Sequence, residues 1–236
     1  MTTANTLSTV VDILAAPKQA FATIRDRAPV MVPLLLVCAF AAAANWLYLL
    51  EVDIAWLTEQ QLRAYDFLDL TDAQIEQRAN AAAERGRTLT IFFSVVGVFV
   101  VVTAIMLLQA LYLKLVAMVR KDPFGFKVWL SLVCWTALPA ILASLAAIVF
   151  ILTNDVTFAG QFDINVLSFA KLTGMDLSAA SSLARGMLSN LGPVNIWSLA
   201  LLLLGHRQLT GAPFATSAAI VIVPILFFVA ILVALF

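Results

Sequence analysis

Five apolar runs divide the chain, and polar stretches of very different length separate them. Met31–Leu50 has no charged residue, Leu89–Val119 contains only Lys114, and Val128–Leu152 is again uncharged. Met187–Leu204 is interrupted by Asn190, Gly192, Pro193 and Asn195, and Phe214–Phe236 is apolar to its last residue. A bilayer core about 30 Å thick takes ~20 mostly apolar residues per spanning helix. The pattern therefore predicts five spans, at about 31–50, 89–113, 128–152, 187–204 and 214–236. The last turns of the second helix are expected to project beyond the membrane.

Before the first run the periodicity changes. Leu7, Val10, Val11 and Leu14 recur at i, i+3, i+4 and i+7, one face of a helix. Pro17 resets the chain, and Ala20, Phe21 and Ile24 form a second short apolar face with Arg25 and Arg27 behind it. Two readings fit Pro17, Phe21 and Ile24: an amphipathic segment in the headgroup layer, or a cap packed on the helical bundle. A secretory signal is not expected, because the first basic residue is Lys18 and the apolar run begins only after Pro29.

Residues 51–88 and 153–186 are too long to be simple connections. Thr58 with Gln61 and Thr71 with Gln74 read as capping boxes opening polar helices, and Asp176 is placed to cap a helix running through Leu183. The links at 120–127 and 205–213 are short, so spans two and three should form one antiparallel hairpin and spans four and five another. The expected fold is an all-α membrane protein, a single membrane domain over residues 1–236. It is a five-span transmembrane helical bundle with an amphipathic N-terminal segment and two helical extramembrane loops.

Composition strengthens this reading. Of 236 residues 63% are hydrophobic and 12% charged, and mean hydropathy is +1.00. A soluble domain carries about 25% charged residues to keep its surface wetted. The 14 basic residues balance the 14 acidic ones, so no global field points to nucleic acid. Cys38 and Cys134 sit in apolar runs without metal or redox spacing, and read as small buried hydrophobes. One histidine leaves zinc chemistry little to work with, and no cofactor or metal is expected.

Charge also sets the expected orientation. Five spans place residues 1–30, 120–127 and 205–213 on one side, where with Lys114 they carry eight basic and three acidic residues. The other side carries six basic and eleven acidic residues, spread over longer loops. The positive-inside rule counts Lys and Arg in short flanks, which puts the N-terminus in the cytoplasm and the C-terminus outside. Arg120, Lys121 and Lys127 flank the turn Asp122-Pro123-Phe124-Gly125, and basic residues there attract anionic headgroups at ~1 kcal/mol each. An acidic partner would suit them too, although orientation alone accounts for them.

Sites for chemistry are scarce. There is no G-x-S-x-G and no H-E-x-x-H, and no two glycines lie closer than six positions apart, which removes phosphate-cradling loops. No span contains Asp or Glu, so proton-driven transport lacks its usual carboxylate. Lys114 is near enough to a span end to snorkel. Asn45, Gln109 and Asn195 are candidates to line a cavity for a lipid headgroup or small solute. With Asn190, Ser94, Thr103, Ser131, Thr136 and Ser144, they fit interhelical hydrogen bonding as well. Pro33, Pro139, Pro193 and Pro224 fall in the runs, and the mid-span positions Pro139 and Pro224 are where kinks are expected. The series Asp66, Asp69, Asp72 and Glu76 lacks the glycine turn of a calcium loop and reads as a solvated helix face.

Taken in order, these features resemble the prokaryotic branch of the Yip1 family. The resemblance starts at Leu14-x-x-Pro17-x-x-Ala20-Phe21-x-x-Ile24 and continues with Pro29 and Pro33. It proceeds through the polar helical loop, Gly125-Phe126-Lys127, Pro139, and Ile196-Trp197-Ser198-Leu199 with Gly205. It implies five spans, a cytoplasmic N-terminus and a bacterial inner membrane. Eukaryotic relatives are similar to trafficking factors that contact small GTPases. The short N-terminal tail and the absence of an Asp-Leu-Tyr-Gly-Pro type motif keep that activity from carrying over, and no catalytic residues are implied. The expected function is a non-enzymatic membrane scaffold or adaptor that binds lipids, other membrane proteins or, as a homo-oligomer, further copies of itself. The alternative is a passive transporter or channel through a proline-kinked bundle.

Overall fold

The computed structural model describes residues 9–13, 16–64, 70–176 and 182–235. Its named elements are all helices. They are α1 (Pro17–Arg27), α2 (Met31–Glu51), α3 (Ile54–Arg63), α4 (Asp72–Glu84), α5 (Arg87–Arg120) and α6 (Phe126–Thr136). There follow α7 (Ala140–Thr153), α8 (Phe169–Thr173), α9 (Ser182–Asn190), α10 (Pro193–Thr210) and α11 (Phe214–Leu235). Among the described residues three stretches are long and apolar enough to cross a membrane: Met31–Glu51, Arg87–Arg120 and Phe126–Thr153. In α11, Phe214–Pro224 is a shorter apolar helix by the same measure. At 34 residues, α5 is about 50 Å long, well beyond the hydrocarbon core.

Two expected elements need correction. The run 187–204 is not one helix, because α9 stops at Asn190 and α10 starts at Pro193. Pro193 occupies the first helical position, where its missing N–H costs nothing, whereas a continuous helix would have met its ring. Thr58 does not cap. Asp53 does so five residues earlier, its carboxylate accepting the Trp56 N–H at 2.8 Å. That start draws Ile54 and Leu57 into the helix as buried residues, and Thr58 instead donates back to the Ile54 carbonyl. Thr71 and Gln74 do form the reciprocal box.

The third apolar run breaks at Ala137-Leu138-Pro139, between α6 and α7. Proline has no N–H and disfavours helical backbone before it. The chain tightens locally, with Leu138 N–H on Trp135 O, Ala140 N–H on Ala137 O and Ile141 N–H on Leu138 O. These are i→i−3 bonds, the 3₁₀ pattern. Thr136 Oγ1 donates to the Leu132 and Val133 carbonyls just before the break. Pro33 lies in the first turn of α2, where its effect is mild, and Pro224 lies inside α11.

The chain divides into two compact units, each assembled from separated stretches. The first comprises Met1–Cys38, Val101–Ile141 and Val194–Phe236. Its core contains Phe21, Ile24, Trp129, Leu132, Trp135 and Leu202. In it α5 contributes Met106, Ala110, Leu113 and Ala117, a stripe at near-helical period, and Cys38 and Cys134 are buried as free thiols. The second unit comprises Ala39–Val100 and Leu142–Pro193, around Tyr48, Leu49, Val52, Leu57, Ile151 and Val156. Here α3 packs on α4, and α8 on α9. Tyr48 Oη donates to Ala159 O at 2.8 Å and Asp53 N–H to Thr157 O at 2.9 Å.

Candidate functional site

In the first unit the N-terminal helix packs on protein. Phe21 is 1% exposed and Ile24 0%, Pro17 is half-buried, and α1 lies against α6. The reason for the close approach is Gly205 in α10. A Cβ there would collide with Leu132 Cδ1 and lie 2.8 Å from Phe21 Cε1. Gln208 Nε2 adds a 2.7 Å bond to Lys18 O. Of the two readings of residues 17–27, this burial supports the cap; Leu14 lies outside the described residues. A shallow pocket of about 240 Å³ borders the joint, lined by Phe21, Ala22, Arg25, Asp26, Gln208 and Leu209.

After α1 the chain is pinned again. The Pro29 carbonyl accepts from Ser131 Oγ at 2.8 Å and from Trp135 Nε1 at 2.7 Å, both on α6. Two donors on one carbonyl fix where α2 begins. Thus residues that carried the family resemblance from distant parts of the chain, Phe21 with Gly205, meet in one core.

The basic turn is held by its backbone. Lys121 has φ 62°, Asp122 N–H bonds Ala117 O and Lys121 N–H bonds Met118 O, which together close α5 as a Schellman motif. Arg120 Nε sits 3.4 Å from the Asp122 carboxylate, while Arg120, Lys121 and Lys127 are all exposed. Lys114 ends in the same turn, its ammonium 3.0 Å from Phe124 O, so its charge serves the turn's backbone.

The three candidate cavity amides are divided between the two units. Asn45 belongs to the second unit and donates to Ser94 Oγ at 2.8 Å. Gln109 and Asn195 belong to the first, Gln109 half-buried on α5 and Asn195 exposed on α10. A bond to a neighbouring helix is what the packing reading of Asn45 expects, and such bonds average ~0.6 kcal/mol. Asn45→Leu is therefore expected to lower stability in detergent by about that amount, with folded yield unchanged. A loss several times larger in thermal unfolding would contradict a packing role.

Two functional-looking groups escaped the sequence. His206, the only histidine, is 1% exposed, and its Nδ1 lies 2.9 Å from the Oγ of buried Ser217. Its ring lies 5.7 Å from that of Trp129. A His–Ser pair resembles a base and nucleophile, and here both side chains are buried. The other group is Arg87, which donates to the carbonyls of Leu49, Leu50 and Val52 at the end of α2. Its partners lie more than thirty positions away, and local spacing carries no trace of them.

Elsewhere in the second unit, Arg63 bonds Glu59 and Asp72 at 2.9 and 2.8 Å, which holds its guanidinium pKa up. Asp66 and Asp69 fall outside the described residues, and Glu76 is exposed. Among the described residues no group of His, Cys, Asp and Glu side chains is arranged to hold a metal ion.

No curated protein and no solved structure matches the chain. The Yip1 domain family model matches residues 11–236, nearly its whole length, and the chain belongs to the Yip1 family as a membrane protein of apolar helices.

Proposed function

We propose that this Yip1 family member is a non-enzymatic membrane scaffold or adaptor that binds lipids or other membrane proteins. In this reading five spans cross a bacterial inner membrane, with the N-terminus in the cytoplasm and the C-terminus outside. The observation that carries it is where the polar groups of the helices are spent. Asn45 bonds Ser94, Tyr112 Oη bonds Ile220 O, Ser131 and Trp135 bond Pro29 O, and His206 meets Ser217. These groups are spent on contacts within each unit, which supports the scaffold reading. The exposed trio Arg120, Lys121 and Lys127 supplies the charge for anionic headgroups.

Native mass spectrometry of protein extracted gently from its own membrane tests the proposal. Retained lipids or a reproducible protein partner is the expected result. A bare protein that passes small solutes when reconstituted in liposomes would overturn it in favour of passive transport, for which the break at Pro139 provides the kink.

A further inference from the structure

The two extramembrane pieces of the second unit present opposite surfaces. Exposed positions on α4 include Gln74, Glu76, Gln77, Arg78, Asn80 and Glu84, an ordinary water-facing helix. The described residues of the stretch 154–192 instead expose large apolar side chains: Phe158 at 66%, Leu172 at 54% and Met175 at 51%, with Phe162 and Phe169 also uncovered. We propose that this stretch is an interfacial anchor, lying in the headgroup and acyl boundary of the membrane surface at which α7 ends. This deepens the lipid-binding part of the scaffold reading and rests on it.

Connectivity places the segment there. It leaves α7 directly after Leu152, itself 68% exposed, so lipid-facing positions run to the edge of the loop. It returns through Leu188 and Leu191, also exposed, immediately before α10. Within α8, Phe169 and Leu172 are three apart and share a face.

The chemistry fits a lipid boundary better than water. A segment entering that layer must satisfy its backbone from within. Phe169 N–H bonds Leu191 O at 2.8 Å, Leu172 N–H bonds Ser168 O at 3.0 Å, and Met175 N–H bonds Ala170 O at 2.9 Å. Asn165 Nδ2 donates to Ser189 O, tying the segment's interior to its C-terminal end. Charge is sparse and partly neutralised, with Lys171 Nζ 2.6 Å from Asp163. Phenylalanine, leucine and methionine between threonines and asparagines match a surface that is apolar below and wet above.

Spin labels on the full chain in vesicles of phosphatidylethanolamine and phosphatidylglycerol test this. Labels go at Phe158→Cys, Leu172→Cys and Met175→Cys, each with Cys38 and Cys134 replaced by serine. Leu108→Cys, on the exposed apolar side of α5, serves as the lipid reference and Asn80→Cys on α4 as the water reference. Circular dichroism confirms helicity for each variant. Collision with oxygen relative to a water-soluble nickel complex should be several-fold higher at the three loop sites than at residue 80, approaching residue 108. Nickel-dominated collisions at all three, with residue 108 still in lipid, would overturn the anchor and leave the membrane reading standing. Low collision with both reagents would overturn it in favour of a protein contact, including a second copy. A water-like residue 108 would overturn the membrane reading beneath it.

Discussion

Replacing Gly192 by alanine is expected to cost about 3 kcal/mol, the upper part of the range for forcing one extra carbon into a packed site. Gly192 is buried between α9 and α10, and a Cβ there would run into the Leu167 carbonyl oxygen. A side chain can rotate away from such a contact, but a carbonyl moves only with its backbone. That backbone is already committed, because Ser168 N-caps α8 and Phe169 N–H bonds Leu191 O. The strain should therefore open residues 165–192 as a unit. Trypsin cleavage after Lys171 should accelerate, and the melting temperature in detergent should fall. A Gly192→Ala protein with wild-type melting and cleavage would show that the loop yields freely at Leu167.

How much of this was legible beforehand depended on whether the cause was local. Pro139 announced the break in the third apolar run, since proline's missing donor acts wherever it sits. Thr71 and Gln74 announced a cap because both halves of that motif lie within four residues. Thr58 misled for a physical reason: a cap is chosen by where the chain turns, and Asp53, followed by Ile54, Trp56 and Leu57, starts the helix sooner. The fourth run misled through its apolarity, which outweighed the stop that Gly192-Pro193 imposes. Asn45 was narrowed to two roles, and its bond to Ser94, 49 positions away, is one that spacing could not supply. His206 with Ser217, Arg87 with the end of α2, and the paired donors on Pro29 depend on partners distant in sequence. No spacing rule reaches them.

Phe21→Asp is expected to have the larger effect on the first unit. Loss of a fully buried ring costs about 3–5 kcal/mol, and an unpaired carboxylate in its place adds a desolvation penalty. Helix α1 should detach, with trypsin cutting faster at Lys18, Arg25 and Arg27 in liposomes. Unchanged protection of residues 9–27 would sink the cap. Detachment alone would not tell a protein cap from a lipid-bound helix, since either loses its apolar face. Gly205→Ala separates them. Gly205 is buried on α10 with Leu132 Cδ1 and Phe21 Cε1 against it, so a methyl group there cannot alter the affinity of α1 for lipid. If α1 is held by protein, the added carbon should push Phe21 out and raise cleavage at the same three sites. The cost should be smaller, about 1–3 kcal/mol, because the opposing atoms are side-chain ends able to give. A helix held by headgroups would ignore the change at Gly205 while still responding to the one at Phe21.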